Sequence, residues 1–298
     1  MKRLAAAFLL SLLLSSAAVP APSYGEGQVA ELLAVAVAEQ EPERRRAQAI
    51  RALEHTELRT HLPALRRLLR EERSLDIRLA AACTLAALGD RKSPADLLLV
   101  TAYDQERTPS CTRSDVVLAL ARTGNPAAVL HLRKALEAPA PADEPFFYAD
   151  ACRALSILGT PEALAELGRA LREGSAEVRH AAVTPLANAA RTLSVEERAW
   201  VSAALLYRAR EDAEPRVAEQ AMSGLFWCGV DASAFFRLLE ADPEPEVRAR
   251  AARVMNRHYL RPRHLERLRA ALATERDAGV RTAIEETLRS QERGDRVQ

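Results

Sequence analysis

Aromatic residues are scarce in this sequence of 298 residues, since Phe, Trp and Tyr together make up only 4% of it. Glycine is also infrequent, with 11 residues, yet 48% of the chain is hydrophobic. The apolar core must therefore be built mainly from Ala, Leu and Val. A chain of this length and composition predicts a large core assembled from α-helices.

An excess of charge of either sign is also lacking, because the formal net charge is only +1. Without Lys2 and Arg3, which belong to a predicted leader, 40 basic residues face 41 acidic residues. This balance gives no global attraction to nucleic acid, and we expect no nucleic-acid partner. Arginine is abundant throughout the chain, so its presence at any one position is weak evidence for a binding site.

Known catalytic motifs are absent from the sequence. It has no glycine-rich phosphate loop and no GxSxG, HExxH or CxxC motif. The histidine pairs His55/His61 and His258/His264 are each six residues apart, which would place their members on different faces of a helix. We therefore predict no catalytic residue, no cofactor and no metal ligand, and interpret the protein as a non-enzyme.

The N-terminus has the pattern of a secretory signal peptide. Lys2 and Arg3 precede an uncharged, mostly apolar stretch over residues 4–19, and residues 16–18 or 19–21 offer small side chains for cleavage. The sequence predicts a signal peptide over residues 1–21, cleaved near 18–21, and a periplasmic or secreted protein. The apolar stretch is shorter than the roughly 20 residues needed to cross a bilayer. A retained anchor remains the alternative, and no other membrane span is predicted.

Leucine recurs every 30–39 residues at one position of a helical pattern. This leucine column consists of Leu53, Leu85, Leu120, Leu155, Leu186, Leu225, Met255 and Leu288. Seven residues before each member lies an anchor residue, which is arginine at six of eight positions: Arg46, Arg78, Arg113, Tyr148, Arg179, Ala218, Arg248 and Arg281. A repeat of this period predicts stacked helical hairpins.

Glycines and prolines mark the ends of the predicted helices. Gly89, Gly124, Gly159 and Gly229 each lie eleven residues after an anchor, where glycine can end a helix in a left-handed conformation. The pattern predicts a linker over 22–27, a solenoid over 28–291 and a polar tail over 292–298. The predicted hairpins cover 28–57, 60–89, 94–124, 126–159, 161–190, 195–229, 231–259 and 262–291.

Two segments carry a family resemblance. Residues 76–90 (DIRLAAACTLAALGD) and 242–252 (DPEPEVRARAA) resemble HEAT repeats, particularly the short bacterial HEAT-like repeats of the phycobilisome-lyase type. The resemblance implies a right-handed, all-α solenoid whose second helices line a concave face. It specifies a hairpin and not an activity.

The four cysteines are expected to remain unpaired even in an exported protein. The cysteines lie at different heights along their hairpins, so the distance between neighbouring ones is too long for a disulfide bond. They are Cys83, Cys111, Cys152 and Cys228. We interpret them as small core residues.

Two patches are candidate binding surfaces. Arginine and aromatic residues are enriched in binding hot spots. The aromatic patch contains Trp200, Tyr207, Phe226, Trp227, Phe235 and Phe236. Because a helix buries one stripe, we expect one member of each adjacent pair to face outward. The arginine patch contains Arg250, Arg253, Arg257 and Arg261.

These patterns favour an exported, non-catalytic, monomeric scaffold that binds a protein or peptide partner. The alternative is a protein that binds an anionic ligand or polymer, or an accessory enzyme, centred on the C-terminal arginines.

Overall fold

A computed structural model describes residues 25–56, 59–104, 108–140, 142–256 and 260–293. The predicted signal peptide, residues 22–24 of the predicted linker and residues 294–298 of the predicted tail lie outside these ranges.

The described residues form sixteen α-helices and no β-strand. The helices are α1 (Glu26–Val37), α2 (Glu43–Ala52), α3 (Leu62–Glu71), α4 (Leu75–Ala87), α5 (Ala95–Asp104), α6 (Arg113–Arg122), α7 (Ala128–Glu137), α8 (Phe147–Leu158), α9 (Pro161–Glu173), α10 (Ala176–Ala189), α11 (Val195–Glu211), α12 (Pro215–Trp227), α13 (Ala232–Ala241), α14 (Pro245–Met255), α15 (Pro262–Thr274) and α16 (Ala278–Arg293). Short 3-10 helices, Leu53–His55 and Ala190–Thr192, extend α2 and α10. Successive helices pair as the eight predicted hairpins, so the fold is an all-α solenoid.

Packing divides the described residues into two compact units. The first contains α1–α4, ending at Pro94, together with Thr108–Ser110; the second contains α5–α16. In the first unit, the buried carboxylate of Asp76 accepts hydrogen bonds from the Ser110 amide at 3.0 Å and hydroxyl at 2.8 Å. These bonds attach the short Thr108–Ser110 segment to the N-terminal turn of α4.

The leucine column lies in the core. All eight of its members are buried, and six of them, five leucines and Met255, have no exposed surface. The four glycines predicted to end second helices all have positive φ, between 61° and 87°. These observations confirm the predicted register of the repeats.

Five of the six anchor arginines donate to carbonyl groups at the end of the first helix of their own hairpin. Arg179 donates from Nη1 to the Gly174 carbonyl at 2.9 Å, and Arg248 donates to the Asp242 carbonyl at 2.9 Å. The last carbonyls of a helix have no partner within the helix, so these side chains satisfy them. The buried Arg46 does the same for the Ala36 carbonyl at 3.1 Å.

Three of these arginines also form an ion pair with an acidic residue of the following hairpin. Arg46 pairs with Glu72, Arg179 with Asp212 and Arg248 with Glu275. The three acidic residues occupy the same place, directly after the first helix of their hairpins. One side chain therefore stabilises a helix end and connects two successive repeats.

The two anchor positions that are not arginine, Tyr148 and Ala218, differ in how they affect the end of the first helix. Tyr148 donates its hydroxyl to the Ala138 carbonyl at 2.9 Å and accepts from the Ala140 amide at 3.0 Å. Tyrosine therefore performs the helix-ending role of the arginine in the fourth hairpin. Ala218 is fully buried and has no side-chain donor, so the sixth hairpin lacks this bond.

Candidate functional site

The structure separates the aromatic patch into buried and exposed residues. Phe235 and Phe236 on α13 are both fully buried, whereas Trp227 at the end of α12 is 44% exposed. Tyr207 on α11 is also exposed, and its neighbour Arg208 lies over its ring. The expectation that one member of each adjacent pair faces outward therefore does not hold for Phe235 and Phe236.

The burial of both phenylalanines has a physical cause. Helix α13 contacts α14 of its own hairpin. Two side chains of α15, in the next hairpin, cover the Phe236 ring. The Arg267 guanidinium lies 4.5 Å from the Phe236 ring centroid, and the His264 ring lies 5.9 Å away. A helix in a stack buries two stripes, because it has neighbours in its own repeat and in the following one.

Trp200 is exposed to nearly the same extent as Trp227, at 42%, but part of its side chain has a packing role. Its indole lies against Gly168 on α9, so that a Cβ atom added at Gly168 would clash with Cη2 of the ring. The missing side chain of the glycine thus creates the space that the indole occupies. Contact between the first helices α9 and α11 accounts for Trp200 without a partner.

Trp227 belongs to a column of exposed residues on second helices. It lies two residues after Leu225 of the leucine column, and Ile157 and Asn188 occupy the same position in the fourth and fifth hairpins. All three are exposed, and Ile157 is 44% exposed. Helix α10 contacts both α8 and α12, so these residues have equivalent places on neighbouring helices. We call Ile157, Asn188 and Trp227 the exposed column.

Ile157 and Asn188 were not among the site residues predicted from the sequence. The repeat register contained the necessary signal, because each follows a buried leucine by the same two residues. An isoleucine and an asparagine are unremarkable in isolation, and their exposure became evident only from the packing of the helices.

Most of the C-terminal arginines bind carboxylates. Arg253 pairs with Glu219 at 3.1 Å, Arg267 pairs with Glu240, and Arg269 pairs with Glu292 at 2.7 Å. Arg250 is buried, donates to the Ala209 carbonyl at 3.2 Å and pairs with Glu246. Its position makes it a structural residue of the core edge. Arg257, a further candidate, lies outside the described residues.

Arg261 and Arg263 differ from these arginines. Both are exposed, and neither forms an ion pair with a carboxylate of the described residues. They line a cleft of about 420 Å³ that also includes Phe226, whose ring lies 5.0 Å from that of Trp227 in an edge-to-face arrangement. We call this the arginine cleft; its other lining residues are Gly229, Val230, Asp231, Ala232 and His264.

The electrostatics of the arginine cleft favour a neutral histidine. Partial burial and the positive charges of Arg263, Arg261 and Arg267 lower the pKa of His264. The neutral ring can accept at Nδ1 from the Arg261 amide, 3.3 Å away. The positive charge of the cleft at neutral pH therefore comes from the two arginines.

The described residues offer no group of three or more His, Cys, Asp or Glu side chains that could hold a metal ion. No helix in the described ranges is long and apolar enough to cross a membrane. The four cysteines are buried, and the described residues contain no disulfide bond between them. Burial raises the pKa of Cys152 to about 12 and that of Cys228 to about 11, so both thiols are protonated at neutral pH.

Comparison with known proteins gave matches at the level of repeats and fold. The family model described as HEAT repeats matches residues 105–187 and 202–289, more than half of the chain. The complex of CpcE and CpcF of phycocyanin lyase from Nostoc sp. PCC7120 is similar in structure, with 17% identity and a TM-score of 0.39, over 77% of this chain and 94% of that one.

Human deoxyhypusine hydroxylase in complex with glycerol is a second similar structure. It has 20% identity and a TM-score of 0.28, over 91% of this chain and 86% of that one. No curated protein matches the sequence. The repeat register, the helical hairpins and the family match lead to one conclusion: the chain belongs to the HEAT-repeat family.

Proposed function

We propose that this protein is an exported, non-catalytic scaffold that binds a protein or peptide partner on the exposed face of its second helices. The observation that carries the proposal is the position of Trp227, which is 44% exposed at the end of the exposed column. The chain contains only two tryptophans, and the other, Trp200, is explained by its contact with Gly168.

Tryptophan is among the residues that contribute most to protein interfaces. It offers a large apolar surface at a low cost in conformational entropy. Ile157 presents a second exposed apolar side chain at the same register position two hairpins earlier. A partner that contacts both residues would cross the second helices α8, α10 and α12, the kind of surface on which repeat proteins bind partners.

The charge arrangement favours this function over binding to a long anionic polymer. Arg248, Arg253 and Arg269 already bind carboxylates, as do other arginines of the same region. A polymer would have to compete with these ion pairs or rely on the few arginines that lack them. The overall charge of +1 gives it no additional attraction.

Export is the part of the proposal supported by the N-terminal sequence pattern alone. We expect the leader to be removed near residues 18–21, and intact-mass measurement of the native protein tests this. A native chain that retains Lys2 and Arg3 would contradict cleavage.

Affinity capture from the envelope fraction of the source organism tests partner binding. The mature chain is compared with Trp227→Ala and with the matched control Trp200→Ala. We expect a partner recovered by the parent and by the control to be lost with Trp227→Ala, because truncating a hot spot weakens binding by about 2 kcal/mol or more. Equal recovery of the same partner by all three proteins would contradict the proposed surface.

A further inference from the structure

We propose that the arginine cleft binds an acidic side chain of the partner, an Asp or Glu that stands next to an apolar residue. This inference rests on the proposed function and deepens it by assigning a chemical class to the partner's contacting segment. Arg261 and Arg263 hold the carboxylate, and the neighbouring apolar residue lies against Phe226 and Trp227.

The contrast among the C-terminal arginines is the first argument. Arg253, Arg267 and Arg269 each bind a carboxylate within the described residues, so their charges are already matched. Arg261 and Arg263 are exposed and are not matched by any described carboxylate. In a chain with nearly equal numbers of acidic and basic residues, this local excess of positive charge complements an anionic group.

The side chains around these arginines supply the second argument. Asp231, the acidic residue of the cleft, already accepts hydrogen bonds from the Ser233 and Ala234 amides at the N-terminus of α13, at 2.7 Å and 3.3 Å. It caps α13 through Oδ1 and forms no ion pair with Arg261 or Arg263, so its single negative charge leaves the pair of arginines with a net positive charge. Because the pKa of His264 is lowered, its ring is neutral at neutral pH, and Arg261 and Arg263 are the positively charged groups of the cleft.

The shape of the cleft gives the third argument. It is a shallow, open depression of about 420 Å³ that a side chain on the surface of a partner can enter, and Phe226 and Val230 contribute apolar surface. The edge-to-face contact between Phe226 and Trp227 joins the cleft to the exposed column. A peptide bound on the column can thus place a neighbouring residue in the cleft. Arginine binds carboxylates through paired, charge-assisted hydrogen bonds.

Two synthetic peptides, each acetylated and amidated, test the inference. Their sequences are Ala-Phe-Glu-Phe-Ala and Ala-Phe-Gln-Phe-Ala, which differ only in the charge of one side chain. The protein used is the mature chain carrying Trp200→Phe, so that Trp227 is its single tryptophan. The emission of Trp227 reports binding, since the peptides contain no tryptophan.

We expect the Glu peptide to bind about tenfold or more tightly than the Gln peptide, the ratio typical of a charged hydrogen-bonding group. Arg261→Gln combined with Arg263→Gln should abolish that ratio. The matched control, Arg269→Gln with Arg289→Gln, makes the same change in net charge and should preserve it. Both control residues are exposed and form ion pairs with Glu292 and Glu285.

Equal affinities for the two peptides, or a ratio that survives Arg261→Gln with Arg263→Gln, would overturn the inference. Equal binding with a clear Trp227 signal would leave the proposed function intact, because a peptide would still contact the exposed column. Absence of binding by either peptide also overturns the inference, while partner capture tests the proposed function separately. If only heparin bound, with a steep dependence on salt, the cleft would instead be a polyanion site.

Discussion

Arg179 and Asp212 form a bidentate ion pair between the fifth and sixth hairpins, with nitrogen–oxygen distances of 2.7 Å at both contacts. The Asp212 side chain has no exposed surface and that of Arg179 is 18% exposed. The same guanidinium also binds the carbonyl of Gly174. The repeated arginine of this chain thus has a defined structural purpose.

Arg179→Ala should destabilise the protein by about 2 kcal/mol, because it leaves the buried Asp212 carboxylate without its main partner. The estimate is below the full range for buried pairs, since Arg208 and the Glu214 amide remain near Asp212. Urea unfolding of the mature chain measures the change. Arg289→Ala, at an exposed ion pair with Glu285, is the control and should change stability by less than about 0.5 kcal/mol. Similar losses for both variants would contradict the structural role of Arg179.

Acid should destabilise the protein through the carboxylates that pair with anchor arginines. Burial alone would raise the pKa of Asp212, but hydrogen bonds from Arg179 and the Glu214 amide outweigh burial and lower the pKa. Hydrogen bonds from Arg248 lower the pKa of Glu275, against the opposing effect of burial. Both carboxylates therefore have a lower pKa in the folded chain than in the unfolded one.

The sign of the effect follows from this direction. A carboxylate with a lowered folded pKa contributes its full stability above the unfolded pKa, near pH 4, and loses it as the pH falls through the folded pKa. We expect the urea midpoint to fall steeply below about pH 4, and the fall to be smaller in Arg179→Ala. An identical acid dependence in parent and variant would contradict the assignment to Asp212.

The leucine column should be more important in an internal hairpin than in the last one. Leu120 on α6 has no exposed surface, and Leu120→Ala should cost about 2–5 kcal/mol through lost burial and the cavity that remains. Leu288 lies in the last hairpin and is 7% exposed, so Leu288→Ala should cost less. Denaturant midpoints compare the two variants, and an equal or larger effect at Leu288 would contradict the proposed gradient.

Gly168→Ala should displace the indole of Trp200. An added Cβ would clash with Cη2 of the ring, and the exposed indole can move outward. Alanine has a higher helix propensity than glycine, by about 1 kcal/mol, which should offset much of the free energy lost with the contact between the indole and α9. The net change in stability should therefore be small. The emission of Trp200, measured in a Trp227→Phe background, should shift to longer wavelength. An unchanged spectrum would show that the indole does not occupy the position against Gly168.

The hairpins could be predicted from the sequence because they depend on short-range patterns. The leucine spacing identified the buried face of each second helix, and Gly89, Gly124, Gly159 and Gly229 identified where four of them end. The buried faces and the helix ends could be predicted because apolar residues, and glycines suited to a left-handed conformation, recur at fixed positions of the repeat.

The candidate site depended on contacts between residues far apart in the chain. Phe236 is buried because Arg267 and His264 of the next hairpin cover it. The spacing of apolar residues within one helix does not show which residues of another hairpin pack against that helix. The arginine patch looked uniform in sequence, but Arg253 pairs with Glu219, 34 residues away, whereas Arg261 pairs with no described carboxylate. Only the three-dimensional packing distinguishes the matched arginines from the unmatched ones.

Site-specific photocrosslinking tests the central claim most directly. A photoreactive phenylalanine analogue replaces Asn188, in the middle of the exposed column, or Glu196, an exposed residue on the first helix α11. In the native envelope, position 188 should give a discrete crosslinked partner, which Trp227→Ala diminishes, and position 196 should give none. A partner crosslinked from position 196 and not from position 188 would contradict binding on the exposed face of the second helices.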